Sequence, residues 1–417
     1  MAPGARWTVV GLLALAMVIG LLDRINFSVA LALKDFQDRF LLTDQDRGLL
    51  NSAFFWTYTC LQAPAGWVVD RYGVKRLFTV AVGLWGLITA ATAVATFAWQ
   101  LILLRLLLGA SEALLTPASM RWIRSNCREE QRGMAIGIVM AGTKVGPAIG
   151  AWLSALLISA YGWQMMFVLL GLCSFAWLVP WLRFAKDGGA EPSEARVDRS
   201  ETTVRDLFRN PILWGTLIGA FCYQYYVNFC ITWMPAYFVD RHGLSLNSMG
   251  LYTMFSFGGM AAIAMLAGYA ADRLIARGYN APLVRKSFVI AGLTIASTEL
   301  LGAVVDSPSI AITFAIVSLS GLGLATANAW ALTQALIPGH LVGRVVGLQA
   351  LAASAPGIVA PLATGWLKQT TGGYTAPFQL ICVLLVTGLL SYLFLVREKY
   401  AGRWVHSAAV SGDRQPA

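Results

Sequence analysis

The chain has 417 residues, of which 57% are hydrophobic and only 12% charged, about half the charged share of an ordinary soluble domain. So few charged side chains cannot cover so much apolar surface in water, whereas a bilayer supplies an apolar solvent. The net charge of +10 invites a nucleic-acid reading, but no basic face with interleaved aromatics lies outside the apolar runs, and nucleic acid is excluded as a partner.

About 20 apolar residues span a hydrocarbon core as a helix, and such runs recur along the whole chain. They predict twelve transmembrane helices at 7–31, 48–69, 77–97, 100–122, 133–158, 163–184, 211–239, 247–270, 283–304, 308–337, 344–368 and 374–396. With that topology most of the Lys and Arg fall on one side: the N-terminus, the loops after helices 2, 4, 6, 8 and 10, and the C-terminal segment. The positive-inside rule then puts both termini in the cytoplasm. The expected fold is all-α and polytopic: a six-helix bundle over 1–184, a linker over 185–210, a second six-helix bundle over 211–396, and a polar tail over 397–417. The linker carries both charge signs and little apolar surface, with one expected helical turn at 204–209.

Helix 1 reads Leu22-Asp23-Arg24-Ile25-Asn26-Phe27-Ser28. Its length and the charged pair inside it distinguish it from a signal-peptide core, and it is expected to be retained. Helix 2 carries Tyr58 and closes on Gly66-Trp67-Val68-Val69-Asp70-Arg71, followed by Gly73, Lys75 and Arg76. Helix 8 closes on a similar run, Gly268-Tyr269-Ala270-Ala271-Asp272-Arg273. Two copies at equivalent places in two halves indicate an internal repeat, the arrangement by which transporters set one substrate site at the midplane between rocking bundles. The basic residues of both runs also serve topology alone.

Helix 4 carries Arg105 and Glu112, seven residues and about two turns apart on one face, roughly 10 Å. They cannot pair directly, and Asp23 and Arg24 point about 100° apart. Ionisable groups at membrane depth cost several kcal/mol unless paired or facing water. Cross-pairing Asp23 with Arg105 and Arg24 with Glu112 satisfies all four. Such a set is either a fixed buried network or the coupling machinery of a transporter. Helix 5 contains Gly142-Thr143-Lys144-Val145-Gly146-Pro147; its small residues read as packing devices, and Lys144 either meets an anion or snorkels. Glu299, near the outer end of helix 9, reads as a structural residue beside headgroup water.

The second half is nearly uncharged within its helices but holds polar side chains suited to hydroxyl groups: Tyr223, Tyr226 and Asn228 on helix 7, Asn328 and Trp330 on helix 10, Gln349 and Ser354 on helix 11. Tyr and Trp at helical spacing also serve as packing or interfacial anchors. The six cysteines show no paired spacing and the three histidines lie in loops or the tail. Disulfides, a metal site and an intramembrane enzyme are therefore not expected. No G-x-x-x-x-G-K-[ST] run is present, so the driving force is expected to be an ion gradient, with no cofactor. A transporter-like sensor would need more than the short linker.

The run GWVVDRYGVKR resembles the signature loop of the major facilitator superfamily, with Val74 where a basic residue is usual. Arg105 with Gly109 resembles that superfamily's helix-4 motif. Together with Asp23-Arg24, Glu112 and the segment from Asn228 to Pro235, they make nearly the whole chain resemble its anion:cation symporter family, which holds bacterial sugar-acid symporters, sialin and the vesicular glutamate transporters. The resemblance implies proton-coupled symport of a small organic anion, a sugar acid, by a multi-pass inner-membrane protein acting as a monomer. It implies substrate contacts at Arg24, Tyr58, Thr143, Lys144, Tyr223, Asn228, Trp330 and Ser354. It further implies proton coupling through Asp23, Glu112 and Arg105, and gating through Gly66, Asp70, Arg71, Gly73, Lys75, Arg76, Asp272 and Arg273. The stretch Gly142 to Gly150 also resembles the helix-5 motif of drug:proton antiporters, which keeps a drug or metabolite:proton antiporter open as the alternative.

Overall fold

In the computed structural model, which describes residues 3–186, 204–303, 305 and 307–401, every predicted apolar run is helical over most of its length. The helices are α1 (Pro3–Leu31), α2 (Lys34–Phe40), α3 (Asp44–Tyr72), α4 (Val74–Ala91), α5 (Ala98–Glu112), α6 (Leu115–Asn126), α7 (Glu129–Phe184), α8 (Val204–Arg209), α9 (Pro211–Thr232), α10 (Met234–His242), α11 (Leu246–Ala276), α12 (Ala281–Ala296), α13 (Glu299–Ala303), α14 (Pro308–Leu336), α15 (Gly339–Ser354), α16 (Pro356–Thr371) and α17 (Thr375–Phe394). Among the described residues, eight stretches are long and apolar enough to cross a membrane by length and composition. The expected turn at 204–209 is α8, whereas residues 187–203 of the predicted linker and 402–417 of the tail lie outside the described residues.

Several predicted helices are interrupted, and proline accounts for three of the breaks. Pro117, Pro235 and Pro356 have no N–H to donate to the carbonyl four residues back. The predicted 100–122 helix divides into α5 and α6 just after Glu112, 211–239 divides at Trp233, and 344–368 divides after Ser354. The predicted 283–304 helix also parts, between α12 and α13. Conversely α7 runs 56 residues, roughly 84 Å at 1.5 Å per residue, far beyond a hydrocarbon core of about 30 Å. Its continuity is broken at Gly162, whose φ of 82° suits a residue without Cβ.

The chain forms two compact units. The first comprises 1–192, 228–258 and 357–374; the second comprises 193–227, 259–356 and 375–417. In the first, α1 lies close along α7. A Cβ on Gly146 would stand 2.6 Å from the Leu21 Cβ and 2.8 Å from the Val18 carbonyl, and one on Gly142 would stand 2.8 Å from the Ala14 carbonyl. The helix-5 glycines thus seat the helix that carries Asp23 and Arg24, as small residues do in membrane interfaces. Phe78, Trp177 and Trp181 stack in the core of this unit, with Trp177 and Trp181 ring centres 5.2 Å apart. The Trp177 indole N–H donates to the Leu12 carbonyl at 2.9 Å, so its polar edge is satisfied inside the apolar layer.

In the second unit α12 packs on α14. A Cβ on Gly292 would meet the Ala325 nitrogen at 2.9 Å. Large apolar side chains such as Val179 and Met265 are 70% and 68% exposed, surface that suits acyl chains rather than water.

Candidate functional site

The break after Glu112 leaves that residue at the last turn of α5, facing α1. Glu112 is wholly buried and Arg24 8% exposed. The Arg24 Nε and Nη2 atoms both donate to Glu112 Oε2 at 3.1 Å, while Oε1 has no hydrogen-bond partner among the described residues. Gly20, one turn before Arg24, makes room: a Cβ there would stand 3.4 Å from Glu112 Oε2. The guanidinium lies over Tyr58 at 4.3 Å and Phe54 at 4.7 Å, contacts that favour a cation through the ring quadrupole. Arg24, Glu112 and Tyr58, singled out in the sequence, therefore meet in one place. Phe54 and Gly20 were not singled out, because an apolar residue or a glycine in a membrane helix carries no chemistry of its own.

The second expected pair differs. Asp23 and Arg105 are both buried but form no ion pair within 4.0 Å; Asp23 Oδ1 instead accepts from Asn26 Nδ2 at 3.0 Å, one turn along the same helix. Arg105 lies over Phe27 at 4.5 Å and Phe54 at 5.0 Å. Asp23, Thr89 and Arg105 surround a space of about 10 Å³, and Arg105 Nε has no hydrogen-bond partner among the described residues. Asp23 and Arg105 line this space without forming an ion pair with each other. Phe54 lies beside both arginines and separates their like charges.

Thr143 and Lys144 sit half-buried on α7. Thr143 Oγ1 donates to its own helix at the Met140 carbonyl, 2.7 Å, and Lys144 makes no ion pair among the described residues. Asn228 is buried in the first unit. In the second unit Tyr223 and Trp330 line a small space of about 30 Å³ with Gln224, Thr326 and Gln349. Tyr223 Oη and Thr326 Oγ1 are 2.8 Å apart. Gln349 Oε1 is buried without a hydrogen-bond partner among the described residues. Ser354 does not line that space; its hydroxyl donates back to the Ala350 carbonyl at 2.9 Å. Glu299 is 4% exposed, which corrects the expected headgroup position: Tyr226 Oη donates to Glu299 Oε2 at 3.1 Å, and Ser318 also donates to that oxygen.

Of the expected gating residues, Gly73 has a φ of 83° and joins α3 to α4, a backbone geometry that favours glycine. Lys75 Nζ donates to the Leu182 carbonyl at 2.9 Å, capping the end of α7. Arg71 lies over Trp67 at 5.5 Å and Arg76 is exposed. Beyond their helical backbone, the roles expected of Gly66 and Asp70 lie outside the described residues. In the second copy Asp272 accepts from Arg285 at 2.9 Å and Arg273 Nη1 donates to Tyr269 Oη at 2.7 Å.

A charge network that the sequence did not single out ties α3, α10 and α16 together within the first unit. Arg47 Nη1 donates to Asp44 at 2.8 Å and Asp240 at 3.1 Å. Lys368 Nζ donates to the same two carboxylates at 2.8 and 2.9 Å. Tyr374 Oη adds a bond to Asp240 at 2.9 Å. Burial works against the Asp240 charge, but Arg47, Lys368 and the Tyr374 hydroxyl overcome it and hold the carboxyl below its ordinary value. The i,i+3 spacing of Asp44 and Arg47 was visible in the sequence; their partners, far along the chain, were not.

The family model described as "Major Facilitator Superfamily" matches residues 13–361. The chain belongs to the Major Facilitator Superfamily. It is thus a multi-pass membrane transporter and not an enzyme. The "Hexuronate transporter" of Bacillus subtilis (strain 168) is 30% identical to it, over 92% of this chain and 93% of the relative. The "D-galactonate transporter" of Escherichia coli O6:H1 (strain CFT073) is 29% identical over 95% and 97%. Among solved structures, the inward-facing, occupied form of a bacterial homolog to the human lysosomal transporter Spinster aligns with a TM-score of 0.75 at 18% identity over the full length of both chains, a likeness in fold.

Proposed function

We propose that this transporter imports a sugar acid of the hexuronate or aldonate class together with protons, by alternating access, as a monomer in the bacterial inner membrane. Twelve spans in two six-helix bundles, over 1–184 and 211–396, with both termini cytoplasmic, are part of this reading. The observation that carries it is the buried Arg24–Glu112 pair. A guanidinium at membrane depth is matched to a carboxylate, and the relatives named for hexuronate and galactonate share nearly the full length of the chain. Ionised Glu112 occupies Arg24; once protonated it releases the guanidinium to the substrate carboxylate, so proton and anion favour each other's binding. Asp23 with Arg105 is a second place for a proton. Tyr58, Thr143, Lys144, Tyr223, Asn228, Trp330 and Ser354 complete the proposed substrate contacts.

The alternative, a drug or metabolite:proton antiporter, rested on the helix-5 glycines. Their close approach to α1 supports reading them as packing residues, which leaves the direction of transport to experiment. Membrane vesicles with an imposed pH gradient, acid outside, test the choice with radiolabelled glucuronate and galactonate. Accumulation that a protonophore abolishes is the expected result. Expulsion driven by the gradient would establish the antiporter, and no movement of either acid would remove this substrate class.

A further inference from the structure

The second unit contains a cavity of about 420 Å³ that the transport reading does not use. It opens where the start of α12 meets the ends of α14 and α17, and its wall is formed by Leu283, Lys286, Leu336, Leu393 and Arg397, with Glu398 at the edge. Chemically it is divided. The leucines give it an apolar side, and the two cations stand together on the other. Lys286 Nζ is aimed at the end of α17 by bonds to the Leu393 and Val396 carbonyls, 3.2 and 2.8 Å. An ammonium has three donors, so one remains. Arg397 spends its Nε on the Leu393 carbonyl at 2.9 Å, and its two terminal nitrogens make no hydrogen bond among the described residues. Glu398 is exposed and forms no ion pair with either cation.

Two neighbouring cations with unspent donors and a single detached carboxylate present an attractive place for an anion. The N-terminus of α12, whose Leu283 N–H already bonds the Asn280 side chain at 2.8 Å, adds the favourable end of a helix dipole. The position fixes what kind of anion. α14 and α17 are apolar enough to cross a membrane, and the cavity lies at their last turns, the level of headgroups. Leu283 and Phe394 beside it are 63% and 55% exposed, a surface along which an acyl chain can run. Basic pockets between helix ends are sites for acidic headgroups.

We propose that this cavity binds one anionic phospholipid, its phosphate held by Lys286 and Arg397 and one acyl chain lying along Leu283 and Leu336. In the topology proposed above this is the cytoplasmic leaflet, but the site requires only that the chain spans a membrane. A bound lipid would brace the α12–α17 junction, which Lys286 bridges by side-chain bonds to the Leu393 carbonyl of α17 and the Val396 carbonyl just past it.

Native mass spectrometry of the full chain, delipidated and then given phosphatidylglycerol or phosphatidylcholine, tests this without any transport measurement. One retained phosphatidylglycerol and no retained phosphatidylcholine is the expected result. Arg397→Gln is expected to weaken retention about fivefold, the effect of about one cation at a membrane surface. Leu283→Trp, which fills the apolar side from its exposed edge and leaves both cations in place, is expected to abolish retention. Equal retention by wild type and both variants would overturn the site. Competition by millimolar glycerol 3-phosphate or inorganic phosphate with no need of a chain would overturn the lipid in favour of a soluble phosphate.

Discussion

Arg24 reaches Glu112 with two nitrogens on one carboxylate oxygen, both at 3.1 Å, and the second oxygen of Glu112 is left buried without a hydrogen bond among the described residues. The guanidinium therefore uses only part of its fork, and the Tyr58 and Phe54 rings stabilise it independently of Glu112. A pair that is strong enough to form and yet incompletely satisfied is suited to exchange one carboxylate for another. Leaving either member buried alone would cost about 3–5 kcal/mol, so in the proposed cycle a proton on Glu112 and an anion for Arg24 would arrive together.

Glu112→Gln fixes the neutral form. The variant is expected to bind glucuronate or galactonate and to exchange it across vesicles preloaded with the same compound at close to the wild-type rate. Concentrative uptake under a proton gradient should fall to background. Wild-type accumulation would transfer the coupling role to Asp23.

Arg24→Lys keeps the charge but loses the planar fork. Charged hydrogen bonds contribute about 1.5–3 kcal/mol each, so the loss of one predicts substrate binding weaker by roughly 10- to 150-fold, with normal membrane insertion and a largely preserved melting temperature. Titration by thermal shift against the preferred acid reads this directly. Unchanged affinity would take Arg24 out of the site.

Asp240→Asn cuts the network that joins α3, α10 and α16. Engineered cysteines near residue 240 should then react faster with an impermeant thiol reagent added from outside. The sign of the pH dependence follows from the position of Asp240 below its ordinary value. A depressed carboxyl stabilises the fold above its unfolded value of about 3.9, and that stabilisation is lost only as pH falls through the lower, folded value. Between pH 5 and 8 the wild-type labelling rate, divided by that of a fully exposed control cysteine to remove the thiolate fraction, should therefore be flat. A labelling change centred near neutral pH would show that another group controls this junction.

Gly146→Val places a side chain where the Leu21 Cβ and the Val18 carbonyl already stand. Overpacking of this kind costs about 1–3 kcal/mol and shifts α1, so a lower melting temperature and weaker substrate binding are expected together. Lys144→Ala, two residues away and without an ion pair among the described residues, should leave the melting temperature unchanged. A drop in substrate binding in that variant alone would assign Lys144 to the anion, and no change would leave it a snorkelling side chain.

The sequence by itself determined the membrane class, the helical segments and the identity of the four charges at depth, because each follows from local chemistry: apolar length, proline and glycine placement, and the rarity of ionisable side chains in a hydrocarbon layer. It also determined that Arg24 and Glu112 must find partners. It named the pairs too, Arg24 with Glu112 and Asp23 with Arg105; only the tertiary structure decided that the first closes directly and the second does not. Arg24 meets Glu112 because α5 breaks after Glu112 and Gly20 clears its approach, whereas Asp23 and Arg105 form no ion pair, a difference that no spacing rule specifies. Glu299 looked like a headgroup residue from its place in the run, yet Tyr226 and Ser318 enclose it. The Asp44–Arg47–Asp240–Lys368 network was invisible for the same physical reason: its members are polar residues at helix ends, unremarkable one by one, and their energy lies in distances between segments far apart in the chain.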